Sequence, residues 1–448
     1  MSQQKPNPAR SKPRRATAQS KAIPSNRPEM QKQLPVLPAP DDREGWRIYW
    51  EEHQQPWRTE PEIDEQRQSF LAERLSTITP NIERGVYPFK GIRLKRADLE
   101  WLLATHEGGR GPIDWHDPNQ QERQGVDLRG AYLQGEDLRE LPLAHLRGGL
   151  LNWSKGSSKD EWLAATPDQR ESSAVHLEGV NLAYTHLEGA ILCSAHLEGA
   201  RLHSSHLEGA RLREAHLEGT GMNGAYFDRA TNLFGVYLSD ETHGSVTLAD
   251  VRWGEVNLSW IDWSKVKALG NERRARQRKT QEGLVKDPPI RLAQYLRAVR
   301  ENRRLAVILR EQGLTEEADY YAYRAQNLQR WVLWHQRKPL KHFASWVLWG
   351  LAGYGYKPLR SLLIYLVVLI SFATSYLIVT HTLQSQSSPL TWYEALVLSV
   401  SSFHGRGFFQ STQSLGDPVT VLAALEAIFG LLIEISFIAT FTQRFFGR

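Results

Sequence analysis

Residues 403–407, Phe403-His404-Gly405-Arg406-Gly407, lie between two long apolar stretches, and their types suit them to handling ions. Glycine admits backbone conformations closed to other residues, so a loop bracketed by Gly405 and Gly407 can aim successive carbonyl oxygens at one axis. Rings of such oxygens replace the hydration shell of a permeating ion. Ser402 leads into the loop, and Arg406 adds a guanidinium whose direction sets the sign of the field. Pointing away from the axis, it needs a carboxylate such as Glu394 or Glu426 to offset burial of its charge. Pointing inward, copies around a pore would repel cations and favour anions or block conduction. The following apolar stretch holds Glu426 and Glu434, both expensive at membrane depth. Glu434, one turn past Gly430, suits a cation-concentrating cavity on the cytoplasmic side. Glu426 lies about 12 Å nearer the outer side at 1.5 Å per residue, and suits a pairing with Arg406. Gly430 reads as a gating hinge or as a point of close helix packing.

A second set of chemistry-bearing residues recurs as His-Leu-Glu-Gly, beginning at His176, His186, His196, His206 and His216. With twenty residues to a coil, His176, His196 and His216 stack on one face with Glu178, Glu198 and Glu218, and His186 and His206 stack on the opposite face. Stacked His and Glu can hold a divalent metal or report pH. The plainer expectation is a solvated ladder kept by duplication of the repeat, with no metal assigned.

The elements that must position the loop follow from hydropathy. Residues 358–381 carry one charge, Arg360, and are long enough to cross a hydrocarbon core of about 30 Å; residues 418–443 form a second such stretch. Residues 389–402 are helical in pattern but too short to cross, and they run into the glycine loop, giving a pore helix and filter over 389–409. Irregular backbone at that depth is tolerated only where protein or a watery cavity surrounds it, which a pore loop provides. Trp331, Trp334, Trp346, Trp349, Tyr354 and Tyr356, with Lys338 and Lys341 among them, make 339–357 an interfacial segment. Basic residues cluster before the first span and after the second, and the loop after the first span has none. Both termini are therefore expected in the cytoplasm.

The remainder reads as cytoplasmic. The chain has 448 residues, a net charge of +5 and one cysteine, Cys193, which excludes an intrachain disulfide framework. Residues 1–45 are a Pro-, Lys- and Arg-rich tail expected to be disordered and lacking a secretory signal. An aromatic and helical segment, 46–90, is expected to cap the solenoid that follows or to dock on a neighbouring subunit. After a linker at 266–289, residues 290–338 predict an antiparallel helical hairpin turning at Gly313, with Thr315 as N-cap. It serves as a rigid spacer or as a transmitter between solenoid and pore.

Within the solenoid expected over 91–265, large apolar residues recur every five positions from Val126 to Trp263, as in Leu177, Leu182, Leu187 and Leu192, with small residues such as Ala190, Ala195 and Ala200 two positions before most of them. Neither a helical period nor strand alternation gives this spacing. Val126-Asp127-Leu128, Ala97-Asp98-Leu99 and Val256-Asn257-Leu258 resemble the A(D/N)Lxx motif of pentapeptide-repeat proteins. The resemblance implies a right-handed quadrilateral β-helix with four pentads to a coil and about six coils. Two breaks in register, at 154–172 and between Phe227 and Leu233, are expected at corners. Some proteins of this family mimic DNA, but the outward residues here mix Glu with Arg201, Arg211 and Arg213, so no uniformly acidic rod is expected.

The block from Trp392 to Arg448 is similar to the pore module of two-transmembrane potassium channels. Aligning Phe446-Gly447-Arg448 with that family's end places Gly430 at its hinge glycine and Gly405 and Gly407 at its filter glycines. Phe403-His404 stand where the family has Thr-Val, and Arg406 replaces its Tyr. The fold expected is thus multidomain: β-helix, helical hairpin and α-helical two-span pore. The resemblance implies a homotetrameric ion channel of a bacterial plasma membrane, conducting monatomic ions and with cations favoured. Its other partners would be the bilayer and a protein docked on the β-helix, not nucleic acid. Anion selectivity and a non-conducting, membrane-tethered scaffold are the alternatives, with a DNA-mimicking, topoisomerase-binding pentapeptide protein behind them. No catalytic constellation, Walker loop or cofactor motif is visible, so an enzyme is not expected.

Overall fold

The computed structural model describes residues 37–151, 160–280, 283–382, 390–405 and 417–445. The basic tail lies almost wholly outside these, as do Arg406, Gly407, the loop at 383–389 and the Phe446-Gly447-Arg448 end.

The five-residue spacing builds a solenoid. Its leucines at 177, 182, 187, 192 and 197 are all 0–2% exposed, and Ala190, Ala195 and Ala200 beside them are fully buried. Burying each Leu side chain is worth roughly 1.5–3 kcal/mol. Stacked coils join through parallel contacts twenty residues apart, as between His176, His196 and His216. The Leu197 N–H donates to the His216 carbonyl at 2.9 Å, and the His196 N–H to the Val175 carbonyl at 3.0 Å. One column runs Arg93, Tyr132, His176, His196, His216, Tyr237. The expected β-helix needs one correction: among the described residues these contacts are single-residue bridges, not strands. Each five-residue side gives two residues to a turn, which leaves no length for a ladder. The turn requires positive φ, supplied in His-Leu-Glu-Gly by glycine (Gly199, φ 68°) and in the alternate pentads by other residues (Ser204, φ 53°).

The first end of the solenoid is covered by α1 (Arg43–Glu52), α2 (Glu65–Thr77) and α3 (Arg96–Gly109). Ala97-Asp98-Leu99, whose letters match the repeat motif, lie inside α3 and are not a repeat. Leu99, Leu102 and Leu103 share its buried face, and the Asp98 carboxylate accepts the Lys95 N–H at 2.9 Å to start the helix. Glu100, fully buried, accepts the N–H groups of Thr59 and Glu60 and pairs with Arg96 at 2.7 Å. The break at 154–172 carries α4 (Glu161–Ala164) and α5 (Pro167–Ser173), which plant Trp162 against the solenoid between Arg170 and Arg213 at 3.5 and 3.8 Å.

The second end is closed by the hairpin, a role its sequence does not announce. The segment expected as a linker contains α6 (Gly270–Arg276), and the hairpin is α7 (Pro288–Glu311) and α8 (Thr315–His335). Thr315 is the first helical residue; the cap position belongs to Leu314. Gln312 accepts the Leu258 N–H at 2.8 Å and donates to the Val256 carbonyl at 2.7 Å, as another coil would. Arg324 grips buried Glu272 through two nitrogens at 2.9 and 2.7 Å. Glu301, 1% exposed, accepts the Leu248 N–H and an Asn271 amide proton. Burial pushes its carboxyl up from 4.5 to about 7, so ionisation penalises docking as pH rises from 4.5 through 7. Glu301→Gln is expected to keep the hairpin docked and flatten this pH dependence. Glu301→Ala leaves two donors unmet and should cost about 1–3 kcal/mol, read from denaturant melts of the full chain.

Beyond the hairpin lie α9 (Pro339–Ala352), α10 (Pro358–Thr382), α11 (Trp392–Phe403) and α12 (Pro418–Phe445). Gly353 and Gly355 take φ of 53° and 88° at the bend between α9 and α10. Leu359–Thr382 and Pro418–Ala439 are long and apolar enough to cross a membrane. Only 17% and 22% of their most apolar windows are buried, whereas the core helix of a soluble domain would be mostly covered.

Candidate functional site

Three helices, α10, α11 and α12, build the site, which the described residues follow as far as Gly405. α11 begins at Thr391, where the Glu394 carboxylate accepts the Thr391 N–H at 2.8 Å and its hydroxyl proton at 2.6 Å. Glu394, expected behind the filter, thus closes the opposite end of this helix. Ala395, Ser399, Ser402 and Phe403 form its buried face against α10 and α12. At the far end the backbone of α11 comes very close to α12: a Cβ on Gly430 would lie 2.0 Å from the Phe403 carbonyl oxygen and 2.8 Å from its carbon. Of the two readings of Gly430, this geometry is close packing. Tyr365 meets the Phe403 ring edge-on at 4.8 Å, and Gly405 follows at φ 67°.

Glu426 is fully buried and faces the middle of α11. It accepts hydrogen bonds from the Tyr376 hydroxyl at 2.7 Å and the Ser399 hydroxyl at 2.5 Å. These partners, one on α10 and one on α11, tie the three helices together. The pairing with Arg406 that the sequence offered falls on a residue outside the described ones, as does Gly407. Glu434 pairs with His404 just past the end of α11, beside a cavity of about 370 Å³ that Tyr365 and Phe437 help line. The sequence assigned His404 to the filter and Glu434 to a cavity; it gave no sign that the two would meet. Tyr376 and Ser399 were legible only as polar residues within apolar stretches.

A joint connects this site to the hairpin. The Trp349 indole donates to the Tyr323 hydroxyl at 3.2 Å and lies between the guanidiniums of Arg330 and Arg360, at 4.7 and 4.9 Å. Lys357 covers Tyr323 at 4.9 Å. Cation–π contacts of this kind fix the orientation of α9 against α8 and α10.

The histidines stack in two columns. His176, His196 and His216 lie 4.8 and 5.1 Å apart, closed by Tyr132 and Tyr237; His186 and His206 lie 5.0 Å apart and end on Tyr226. In every repeat Nδ1 faces its own Glu Oε1 at 2.9–3.3 Å. Trp115 lies over Gly189 and Gly209 beside the second column, where a Cβ would come within 2.8 and 3.1 Å of the indole. His196 has partners on both nitrogens, Glu198 at 3.2 Å and Glu171 of α5 at 3.1 Å. Only the imidazolium has two N–H groups to donate. The Glu198 hydrogen bond, opposed by burial and helped by Glu171, raises its pKa from 6.5 to about 9. Because the folded value is the higher one, this stabilisation is full below 6.5 and is lost as pH climbs through about 9. Thermal melts of the full chain should fall by about 2 °C across that window, after allowance for solvent screening. Glu171→Gln should shrink the fall. Cys193 is buried, and burial pushes its thiol up to about 12, so it is no nucleophile.

The family described as pentapeptide repeats (8 copies) matches residues 173–209 and 195–231. No curated protein matches the chain. Among solved structures, a pentapeptide repeat protein from the thylakoid lumen of Arabidopsis thaliana is 17% identical, with 36% of this chain and 83% of that one covered and a TM-score of 0.15. QnrB1, a plasmid-mediated fluoroquinolone resistance protein, is 12% identical over 31% of this chain and 75% of its own, with a TM-score of 0.13. HetL, involved in heterocyst differentiation regulation in the cyanobacterium Nostoc, is 21% identical over 30% and 57%, with a TM-score of 0.14. The chain carries pentapeptide repeats and two helices able to span a membrane.

Proposed function

We propose that the chain is the subunit of a homotetrameric membrane ion channel with a potassium-channel-like pore, cation-conducting, whose pentapeptide solenoid hangs in the cytoplasm of a bacterial cell. The observation that carries this reading is α11. At twelve residues it spans about 18 Å, too short to cross a bilayer, yet it is held between two helices that are long enough. Its C-terminal end leads into Gly405, and the partial negative charge of a helix C-terminus favours a cation there. Glu434 near that end adds to the attraction. One subunit supplies a quarter of such a pore. The exposed apolar residues of α12, among them Leu425, Ile428 and Leu432, supply a surface for neighbouring copies and lipid.

In this reading the solenoid and hairpin move as one piece, since Glu301, Gln312 and Arg324 join them, and Trp349 passes that motion to α10. Both termini face the cytoplasm, where the basic residues flanking the spans favour the anionic leaflet. The test is potassium release from liposomes containing the purified full chain. Release well above that of protein-free liposomes supports the reading. Release equal to theirs, from a preparation that crosslinks as a tetramer, counts against it.

A further inference from the structure

The histidine columns hold two arrangements that differ from a simple stack. The Glu188 Oε1 lies 2.9 Å from its own His186 Nδ1 and 3.9 Å from the His206 Nδ1 one coil on, while the Glu208 Oε1 lies 3.2 Å from the same nitrogen. The other column repeats this: the His216 Nδ1 lies 4.0 Å from the Glu198 Oε1 and 3.3 Å from the Glu218 Oε1. Within each trio the donor atoms all lie within 4.8 Å of one another. Ligands held about 2.0–2.2 Å from a tetrahedral zinc ion sit roughly 3.3–3.5 Å apart, so both trios need only small side-chain adjustments. Glu188 is 2% exposed and Glu218 7%, and in both the second oxygen, Oε2, has no hydrogen-bond partner. Each carboxylate thus enters its trio with acceptor capacity unused.

We propose that Glu188, His206 and Glu208, and separately Glu198, His216 and Glu218, bind divalent transition-metal ions of the zinc class. One imidazole and two carboxylates match the donor preference of such ions, and two negative charges balance the metal's two positive ones. The histidine side chains are 33% exposed in both trios, so a fourth position is open to water or to a donor from a partner. Metal binding needs Nδ1 without a proton: the imidazolium releases it to solvent, the neutral Nδ1–H tautomer carries it on Nε2 instead, and the Nδ1 to Oε1 hydrogen bond gives way to two metal–ligand bonds. The third group of this kind, His176, Glu178 and His196, is excluded. Its rings are parallel within 1° at 4.8 Å, so their in-plane lone pairs do not converge, and both His196 nitrogens are taken.

The test is a calorimetric titration with Zn²⁺ of the full chain in detergent, prepared without a polyhistidine tag and stripped with chelator, with Co²⁺ absorption to report tetrahedral geometry. Two ions per chain and a melting temperature that rises with Zn²⁺ and falls back with chelator are expected. His206→Tyr and His216→Tyr keep a ring in the stack, as Tyr226 and Tyr237 do naturally in the same columns. Each should remove one ion, and the pair both. Glu208→Gln with Glu218→Gln should weaken binding by about 100-fold or more without altering the stack, since even outer-shell losses cost 10–100-fold. An absence of saturable binding by the unaltered chain, or binding that the paired variants retain, overturns the proposal.

Discussion

Replacing Gly430 with alanine is expected to loosen the packing of α11 against α12 and, if the proposed channel reading holds, to abolish conduction, the largest single-residue effect expected in this chain. The new Cβ would meet the Phe403 carbonyl oxygen at 2.0 Å and its carbon at 2.8 Å. Both are backbone atoms, so no rotamer change relieves the clash. α11 must withdraw from α12, taking Phe403, His404 and Gly405 with it. Overpacking a close contact costs about 1–3 kcal/mol where side chains can adjust, and more is expected where they cannot. A gating hinge would behave otherwise: alanine would leave the fold intact and change opening only. A melting temperature well below that of the unaltered protein, together with loss of current, is the expected result. Normal stability with altered gating would return Gly430 to the hinge role.

Glu426→Leu is expected to rank next, at about 2–3 kcal/mol of destabilisation. The leucine fills the space but removes the carboxylate that accepts the Tyr376 hydroxyl proton, and an unmet buried polar group costs about 1–3 kcal/mol. Ser399 keeps a second acceptor in the Leu369 carbonyl at 3.0 Å and suffers less. Glu426→Gln retains an oxygen for Tyr376 and should be nearly neutral; Tyr376→Phe should cost about 1 kcal/mol. A double-mutant cycle on melts in detergent measures the Tyr376–Glu426 coupling, and for groups in direct contact the double variant should cost at least about 0.5 kcal/mol less than the sum of the singles. Additive effects would mean that Glu426 holds something other than Tyr376.

Much of this architecture was legible because its determinants are local. A five-residue period specifies a side of a solenoid whatever surrounds it, and twenty residues per coil stacks His176 on His196. Hydropathy located both long helices and the short one between them. The motif Ala97-Asp98-Leu99 misled because three letters do not hold a register; the spacing of Leu99, Leu102 and Leu103 is helical, and the Asp98 cap fixes the helix start. Contacts between distant segments left no signature. Nothing in the letters joins Gln312 to Leu258, Trp115 to Gly189 or Tyr376 to Glu426, since each depends on how separately folded pieces meet. Glu394 was offered as a carboxylate partner for Arg406 behind the filter, whereas Thr391 three residues before it is the start of a capping box.

The most direct test of the central claim is the reversal potential of the purified protein in planar bilayers under asymmetric KCl, with Arg406→Ala measured alongside. The account predicts a current reversing on the cation side, with Arg406 facing away from the axis and its alanine variant retaining that sign. Reversal on the anion side, converted toward cations by Arg406→Ala, would mean an arginine-ringed pore and contradict the cation assignment. An absence of current from well-folded tetramers of both proteins would contradict the channel itself.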